Sequence, residues 1–338
     1  MTTNTTRPRQ VNWKIALSVV VSVGVIMLVL TQLDMGQLRR TLTRASLPWL
    51  GVGLLAYLVN YVLRTLRFRQ LLPKQRIGFA QLFSISSLYG MFLYLMPAKS
   101  GEVSLPAMLK LRQGVSISES AATLVVARFF DFFSVALFLP LVLITFRQRI
   151  PEVMFYSALV FIALMAPVGV GYFVWLRRDG SESLAAAPDR VTTWMARVRR
   201  WIGHVMDSLR TLARMKGQGW LLLNTIAIWL CVYANFYLIA AALGYWLEFG
   251  HVVVLSILMI PLTLFPVQGV ANVGSHEVGW VAAFAIFGYP PEQALVVAIG
   301  SHAMLLLEVL ILGSVGWLVG LASLQLERVK QTNARNDL

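Results

Sequence analysis

Charge, cysteine and histidine are all scarce in this chain. Only 13% of its 338 residues are charged, one is cysteine and four are histidine. A lone thiol, Cys231, closes no internal disulfide and builds no cysteine cluster, which excludes a disulfide-stapled scaffold and a zinc module. The histidines are scattered, and His276-Glu277 lacks the second histidine of H-E-x-x-H. Neither G-x-x-x-x-G-K-[ST] nor G-x-S-x-G occurs, so P-loop nucleotide hydrolysis and nucleophile-elbow hydrolase chemistry are set aside. No catalytic residue, metal or cofactor is expected, and no enzymatic activity.

Apolar residues dominate instead, at 58% of the chain, with a mean hydropathy of +0.71. Runs near 12–30, 47–66, 119–145, 153–176, 219–243 and 293–322 carry almost no charge. Each approaches the roughly 20 residues that a helix needs to cross the hydrocarbon core. Two further apolar stretches, about 79–110 and 251–288, are interrupted by proline and glycine. Arg7, Arg9 and Lys14 precede Ile15 to Leu30 in the manner of a signal peptide, but no small-residue cleavage site follows, so an uncleaved first span is expected. The expected fold is an all-α polytopic membrane protein of about six full spans plus two re-entrant broken-helix hairpins, with eight spans as the alternative. One membrane domain covers 1–325, in halves of about 1–150 and 151–325, and leaves a short tail at 326–338.

Lysine and arginine mark the cytoplasmic side of a membrane protein. They collect at the N-terminus, at 64–76, at 177–216 and near the C-terminal end at Arg328, Lys330 and Arg335, whereas 244–250 carries none. If each broken pair leaves the membrane on the side where it entered, all these basic segments share the cytoplasm with both termini. The order of span, span, broken pair and span then occurs twice with opposite orientation, an inverted repeat of the kind used for alternating access. Between the halves, Val191, Trp194, Val198, Trp201, Val205, Leu209 and Leu212 recur at helical spacing, with arginines mostly off that stripe. The segment 188–216 therefore reads as a basic amphipathic helix, lying on the cytoplasmic membrane surface or packed against the protein.

The breaks read Tyr94-Leu-Met-Pro97-Ala-Lys99-Ser-Gly101-Glu102 and Leu264-Phe-Pro266-Val-Gln-Gly269-Val-Ala-Asn272-Val-Gly274-Ser-His276-Glu277. Proline removes an amide donor, and glycine permits positive φ or close backbone approach. Broken helices in corresponding positions of two halves point to a transport site, because unwound backbone supplies polar groups inside the membrane. Lys99 beside freed amides suits an anionic group such as phosphate. The other reading is a pair of tight surface loops.

Ionisable residues inside a span need a partner or a cavity. Arg128 and Asp131 lie at i, i+3 and are expected to pair, either to neutralise each other or to line a polar path. Asn60, Arg64 and Arg67 share a face of the second span near its cytoplasmic end, where arginines also snorkel. Asn224, Cys231 and Asn235 share a face of the fifth span and suit interhelical hydrogen bonding. His302 and Glu308 are six residues apart, do not share a face, and suit local packing or a wet crevice.

Taken together, the run from Arg64 through Arg67 and Arg69, the P-x-x-x-G-E of Pro97 to Glu102, the run from Glu119 to Asp131, and the P…G…G-x-x-E of Pro266 to Glu277 resemble the transmembrane region of the lysylphosphatidylglycerol synthase/flippase family. The resemblance spans about 10–325. It implies that Pro97, Gly101, Glu102, Arg128, Asp131, Pro266, Gly269, Gly274 and Glu277 are family-like positions, joined in the candidate substrate-binding set by Arg64, Arg67 and Lys99. Departures fall at Lys99, Gln268 and His276, where arginine, glycine and arginine are more usual. Some members carry a cytosolic domain that transfers an aminoacyl group from tRNA to phosphatidylglycerol. Because the chain stops at Leu338, it resembles the stand-alone membrane branch and is expected to lack that activity.

The implied function is translocation of a phospholipid or another envelope amphiphile between leaflets, without ATP. Its alternatives are a membrane scaffold or accessory subunit for an envelope-lipid biosynthetic enzyme, and a membrane-embedded lipid transferase using Glu102 and Glu277 as acid and base. Expected partners are membrane lipids with an anionic or zwitterionic headgroup. A formal charge of +14 flanking membrane spans favours anionic lipid, not nucleic acid. The expected location is the bacterial cytoplasmic membrane.

Overall fold

A computed structural model describes residues 35–177, 194–264 and 270–336. The expected span at 12–30 lies outside the described residues, as do 188–193 of the basic segment and Pro266, Gln268 and Gly269 of the second break. The described chain is helical and contains no strand. In order it forms α1 (Met35–Thr43), α2 (Leu47–Leu71), α3 (Phe79–Leu95), a 3-10 turn (Pro97–Val103), α4 (Ser104–Gln113), α5 (Ile117–Thr145) and α6 (Glu152–Arg177). The second half contributes α7 (Trp194–Ala213), α8 (Gln218–Ala242), α9 (Phe249–Leu264), a 3-10 turn (Val270–Asn272), α10 (Ser275–Ile286) and α11 (Pro291–Asn336).

Five helices, α2, α5, α6, α8 and α11, are long and apolar enough to cross a membrane. With α3 as a shorter apolar helix, the protein is an all-α polytopic membrane protein. The arms of the broken pairs have 17 and 10 residues in the first half and 16 and 12 in the second. All are described over fewer than the roughly 20 residues of a typical crossing, in keeping with the arms of a re-entrant hairpin.

Local sequence sets several helix starts. Pro48 stands in the first turn of α2, where its missing amide hydrogen has no helical partner to lose. Ser116 caps α5 by accepting the Glu119 amide at 3.2 Å, and Glu119 itself complements the positive end of the helix.

Packing follows the proposed repeat. Helix α2 lies along its counterpart α8, α4 packs on α5 as α10 packs on α11, and α2–α3 recurs as α8–α9. Asparagines lock the central pair: Asn60 donates to the Ile228 carbonyl at 2.8 Å and Asn224 to the Leu63 carbonyl at 3.1 Å. Asn224 thus serves interhelical bonding, as its place in the fifth span suggested.

One contact breaks the symmetry. Helix α3 packs extensively on α11, while α9 meets α5 only slightly. The α3–α11 seam is built from small residues: a Cβ added at Gly316 would lie 2.4 Å from the Ser87 Cβ, and one at Gly320 would lie 2.3 Å from the Ser84 hydroxyl. Small residues at i, i+4 let membrane helices approach closely, and here they hold α3 with Tyr89 turned to the interior. Each half keeps its own apolar core, around Phe68, Ile85, Leu105 and Phe130 in the first and around Val252, Trp280, Phe284 and Val297 in the second.

Helix α7 packs against the protein over part of its length. Leu212 is buried, with Val205 and Leu209 packed on the first-half core, whereas Val198, Trp201 and Ile202 are exposed. Its later turns brace α5, and its earlier turns present an apolar face outward.

Candidate functional site

The first break starts at Pro97, which cannot donate to the helix and holds Met96 extended at φ −81° and ψ 134°. The Met96 amide still closes α3 on the Phe92 carbonyl at 3.0 Å. Two hydroxyls then carry the turn, Ser100 donating to the Pro97 carbonyl at 2.7 Å and Ser104 to the Gly101 carbonyl at 2.6 Å. Gly101 is pressed onto α3 so tightly that a Cβ would lie 2.4 Å from the Phe92 carbonyl oxygen. Lys99 sits in the left-handed region at φ 57°. This backbone path delivers Glu102 toward α5.

There Glu102 joins a network running through the first half. Its Oε1 accepts from Arg128 Nη2 at 2.5 Å, and its Oε2 accepts from the Tyr89 hydroxyl at 2.7 Å. The Tyr89 oxygen in turn accepts from Arg128 at 3.0 Å. Arg128 does reach Asp131, at 3.3 Å, but the shorter partner of Asp131 is Arg67, whose Nη1 lies 2.6 Å from Oδ1. The expected Arg128–Asp131 pair is therefore one link in a chain from Glu102 to Arg67. Snorkelling fails as a reading of Arg67, which is 2% exposed. An aspartate on the facing helix gives its guanidinium a buried partner, so it turns inward. Arg64 bonds through Nε to Asn60 Oδ1 at 2.8 Å and forms no ion pair among the described residues.

A cavity of about 250 Å3 opens beside this network. Helix α2 lines it with Tyr57, Tyr61 and Arg64, α3 with Ser86, Tyr89, Leu93 and Tyr94, and the first break with Lys99 and Glu102. Helix α5 adds Arg128, Asp131 and Phe132, α8 adds Trp229, and the second break adds Asn272. Among the described lining residues, Arg64, Lys99 and Arg128 face Glu102 and Asp131, so cations exceed anions even before Arg67 behind them is counted. Lys99 carries no hydrogen bond or ion pair among the described residues. Guanidinium and ammonium groups around a space of headgroup size can hold an oxyanion such as phosphate.

The two breaks touch each other through their 3-10 turns, but their glutamates part company. In the second break Ala271 and Asn272 take φ of 54° and 62°, and Gly274 takes 91°. The Gly274 amide donates to Glu277 Oε2 at 2.8 Å, capping α10. Glu277 Oε1 meets His302 Nδ1, and His302 Nε2 reaches the Ala271 carbonyl at 2.8 Å. Glu277 is 7% exposed and stands away from the cavity lining. His302 and Glu308, which share no face, each find a separate partner: Glu308 Oε2 accepts from Asn235 at 2.7 Å.

Of the candidate set, Arg64, Lys99, Glu102, Arg128 and Asp131 line the cavity. Arg67 stands behind it, Pro97 and Gly101 shape the turn, and Gly274 and Glu277 belong to the second cluster. Pro266 and Gly269 lie outside the described residues. Sequence reasoning missed the tyrosines, Trp229 and Asn272. A tyrosine in an apolar run has no spacing signal that separates a cavity-facing hydroxyl from a packed ring. No cluster suited to a metal ion occurs among the described residues.

No curated protein and no solved structure shows a significant match to the chain. A family model described as the lysylphosphatidylglycerol synthase TM region matches residues 15–313, and the chain belongs to that family.

Proposed function

We propose that this protein is a lipid translocase that moves a phospholipid or similar amphiphile between leaflets without hydrolysing ATP. The supporting observation is the cation-rich cavity between the first break and helices α2, α3, α5 and α8, with Asn272 of the second break at its edge. A headgroup phosphate would lie against Arg64, Lys99 and Arg128 while the acyl chains stay in the bilayer. Tyr57, Tyr61 and Tyr89 would supply aromatic surface and hydroxyl groups beside it. No chemical step is assigned to the chain. It would act in the bacterial cytoplasmic membrane with both termini inside, since that orientation gathers the basic segments on one side.

Reconstitution in liposomes with a panel of labelled lipids tests the reading by scoring leaflet exchange. Exchange that depends on Arg128 and Lys99 supports it. An inserted, folded protein that moves no lipid in the panel would sink it and leave the scaffold role. Topology has its own check: a cysteine at Arg214, on the C-terminal side of α7, should react only with reagents that reach the cytoplasm.

A further inference from the structure

The second break contains a cluster that the lipid cavity does not use. His302 lies on α11 with its two ring nitrogens against two oxygens, the carboxylate of Glu277 at Nδ1 and the Ala271 carbonyl at Nε2. A carbonyl only accepts, so Nε2 must carry a hydrogen. That leaves Nδ1 of a neutral ring as a bare lone pair aimed at a carboxylate oxygen. The contact is attractive only if one more proton is present, either on Nδ1 as imidazolium or on the Glu277 carboxyl.

The neighbours limit the cluster to that single proton. His276, on α10, points Nε2 at the Ser301 oxygen, 3.1 Å away, while the Ser301 hydroxyl donates to the Ala298 carbonyl at 3.0 Å. His276 therefore donates from Nε2, and its ring centre lies 4.7 Å from that of His302, where a second positive charge would be repelled. Among the described residues, the remaining titratable groups facing the cluster are Tyr94 on α3, edge-on to His302 at 5.9 Å, and Glu308 further along α11, which bonds Asn235 on α8. Among the described residues no arginine or lysine forms an ion pair with Glu277.

The cluster also has two routes to the cavity. Tyr94 touches His302 and lines the cavity, and its buried hydroxyl has no hydrogen-bond partner among the described residues. His302 tethers the carbonyl of Ala271, whose neighbour Asn272 lines the same cavity. We propose that the Glu277–His302 pair is a proton-binding site that couples lipid movement to a proton gradient, a role that rests on the translocase reading. Proton loss to water leaves carboxylate against a neutral imidazole and weakens the Glu277–His302 contact. The ring that holds the Ala271 carbonyl is then free to turn, and the backbone of the second break is released. Proton gain from the other side restores the pair. The proton is exchanged with water on either side, and no bond other than O–H or N–H is made or broken.

The test uses the full chain in phosphatidylcholine vesicles containing fluorescent phosphatidylglycerol, with a pH difference of about two units imposed in either direction. At one proton per lipid, such a gradient supports a leaflet ratio of up to about 100-fold. The steady-state ratio should shift one way with acid inside and the opposite way with alkali inside. Both His302→Gln and Glu277→Gln should exchange lipid at symmetric pH but lose the response to the gradient. In parallel, nitrogen NMR of labelled histidine in the wild-type chain should show the extra proton on the pair, a readout independent of whether the variants fold. Exchange that ignores the gradient, or a pair without that proton across pH 5 to 8, overturns the coupling alone. Complete absence of exchange in the wild-type chain would instead overturn the translocase reading on which it depends.

Discussion

The two breaks are built alike and wired differently. Each unwinds a short apolar helix into a 3-10 turn, places a non-glycine residue at positive φ, and ends with a glutamate at or near the next helix. Glu102 faces an arginine and a tyrosine at the edge of a cavity, whereas Glu277 is buried against a histidine. An arginine holds its charge at any pH a cell meets, while a histidine changes charge near neutrality. The first break thus sets its glutamate against a guanidinium and a phenol, and the second sets its own against an imidazole. On the proposed reading, the first break would hold the headgroup and the second would couple its movement to protons.

The largest expected effect comes from breaking the fixed side at its deepest point. Asp131→Ala leaves Arg67 charged, buried and unpaired, which should cost about 3–5 kcal/mol and remove most folded protein, as seen by gel filtration and thermal unfolding. Replacing Arg67 and Asp131 together with methionine and leucine should recover much of that loss. A double variant no more stable than Asp131→Ala would show that the pair is not what stabilises this region.

Next in size is Arg128→Ala, which removes the link between Glu102 and Asp131. Because Arg128 is 31% exposed on its side chain, the protein should stay folded while lipid exchange falls by about tenfold or more. A double-mutant cycle with Glu102→Gln should report a coupling of about 0.5–3 kcal/mol, and additive effects would refute their pairing.

A substitution far from either glutamate sharpens the comparison, because only the first break is held by the α3–α11 seam. Gly320→Ala forces a methyl group onto the Ser84 hydroxyl and should cost about 1–3 kcal/mol by overpacking. Exchange should slow as Tyr89 shifts with α3, while the pH response stays intact. The smallest change in rate is expected from Glu277→Gln at symmetric pH, since Glu277 stands outside the cavity lining. A loss there as large as the one expected of Arg128→Ala would mean that both glutamates serve the cavity after all.

Much of this was readable before any helix was packed. Hydropathy alone assigns the membrane and places the spans, because a helix inside hydrocarbon must satisfy its own backbone and cover it with apolar side chains. Span 117–145 differs from its expected bounds by two residues at one end. Pro97 and Gly101 announce the first break because their effects are local, a missing donor and a missing Cβ. Arg128 and Asp131 share a face for the same reason, an interaction three residues apart on one helix.

The partners across the fold were not readable, because no periodicity reports them. Arg67 finds Asp131 across 64 residues of sequence, Arg128 finds Glu102 across 26, and His302 finds Glu277 across 25. A buried charge takes whichever counter-charge the packing brings near, and only the helices fix which that is. The arginine that local rules would send to the membrane surface becomes one of the most buried side chains in the protein. Two glutamates with similar local settings likewise acquire different partners, because α5 presents an arginine to one and α11 a histidine to the other. The amino-acid sequence determined where the helices run and where they break. Tertiary packing decided which charges meet, because the cost of burying an ion is met only by a partner in space.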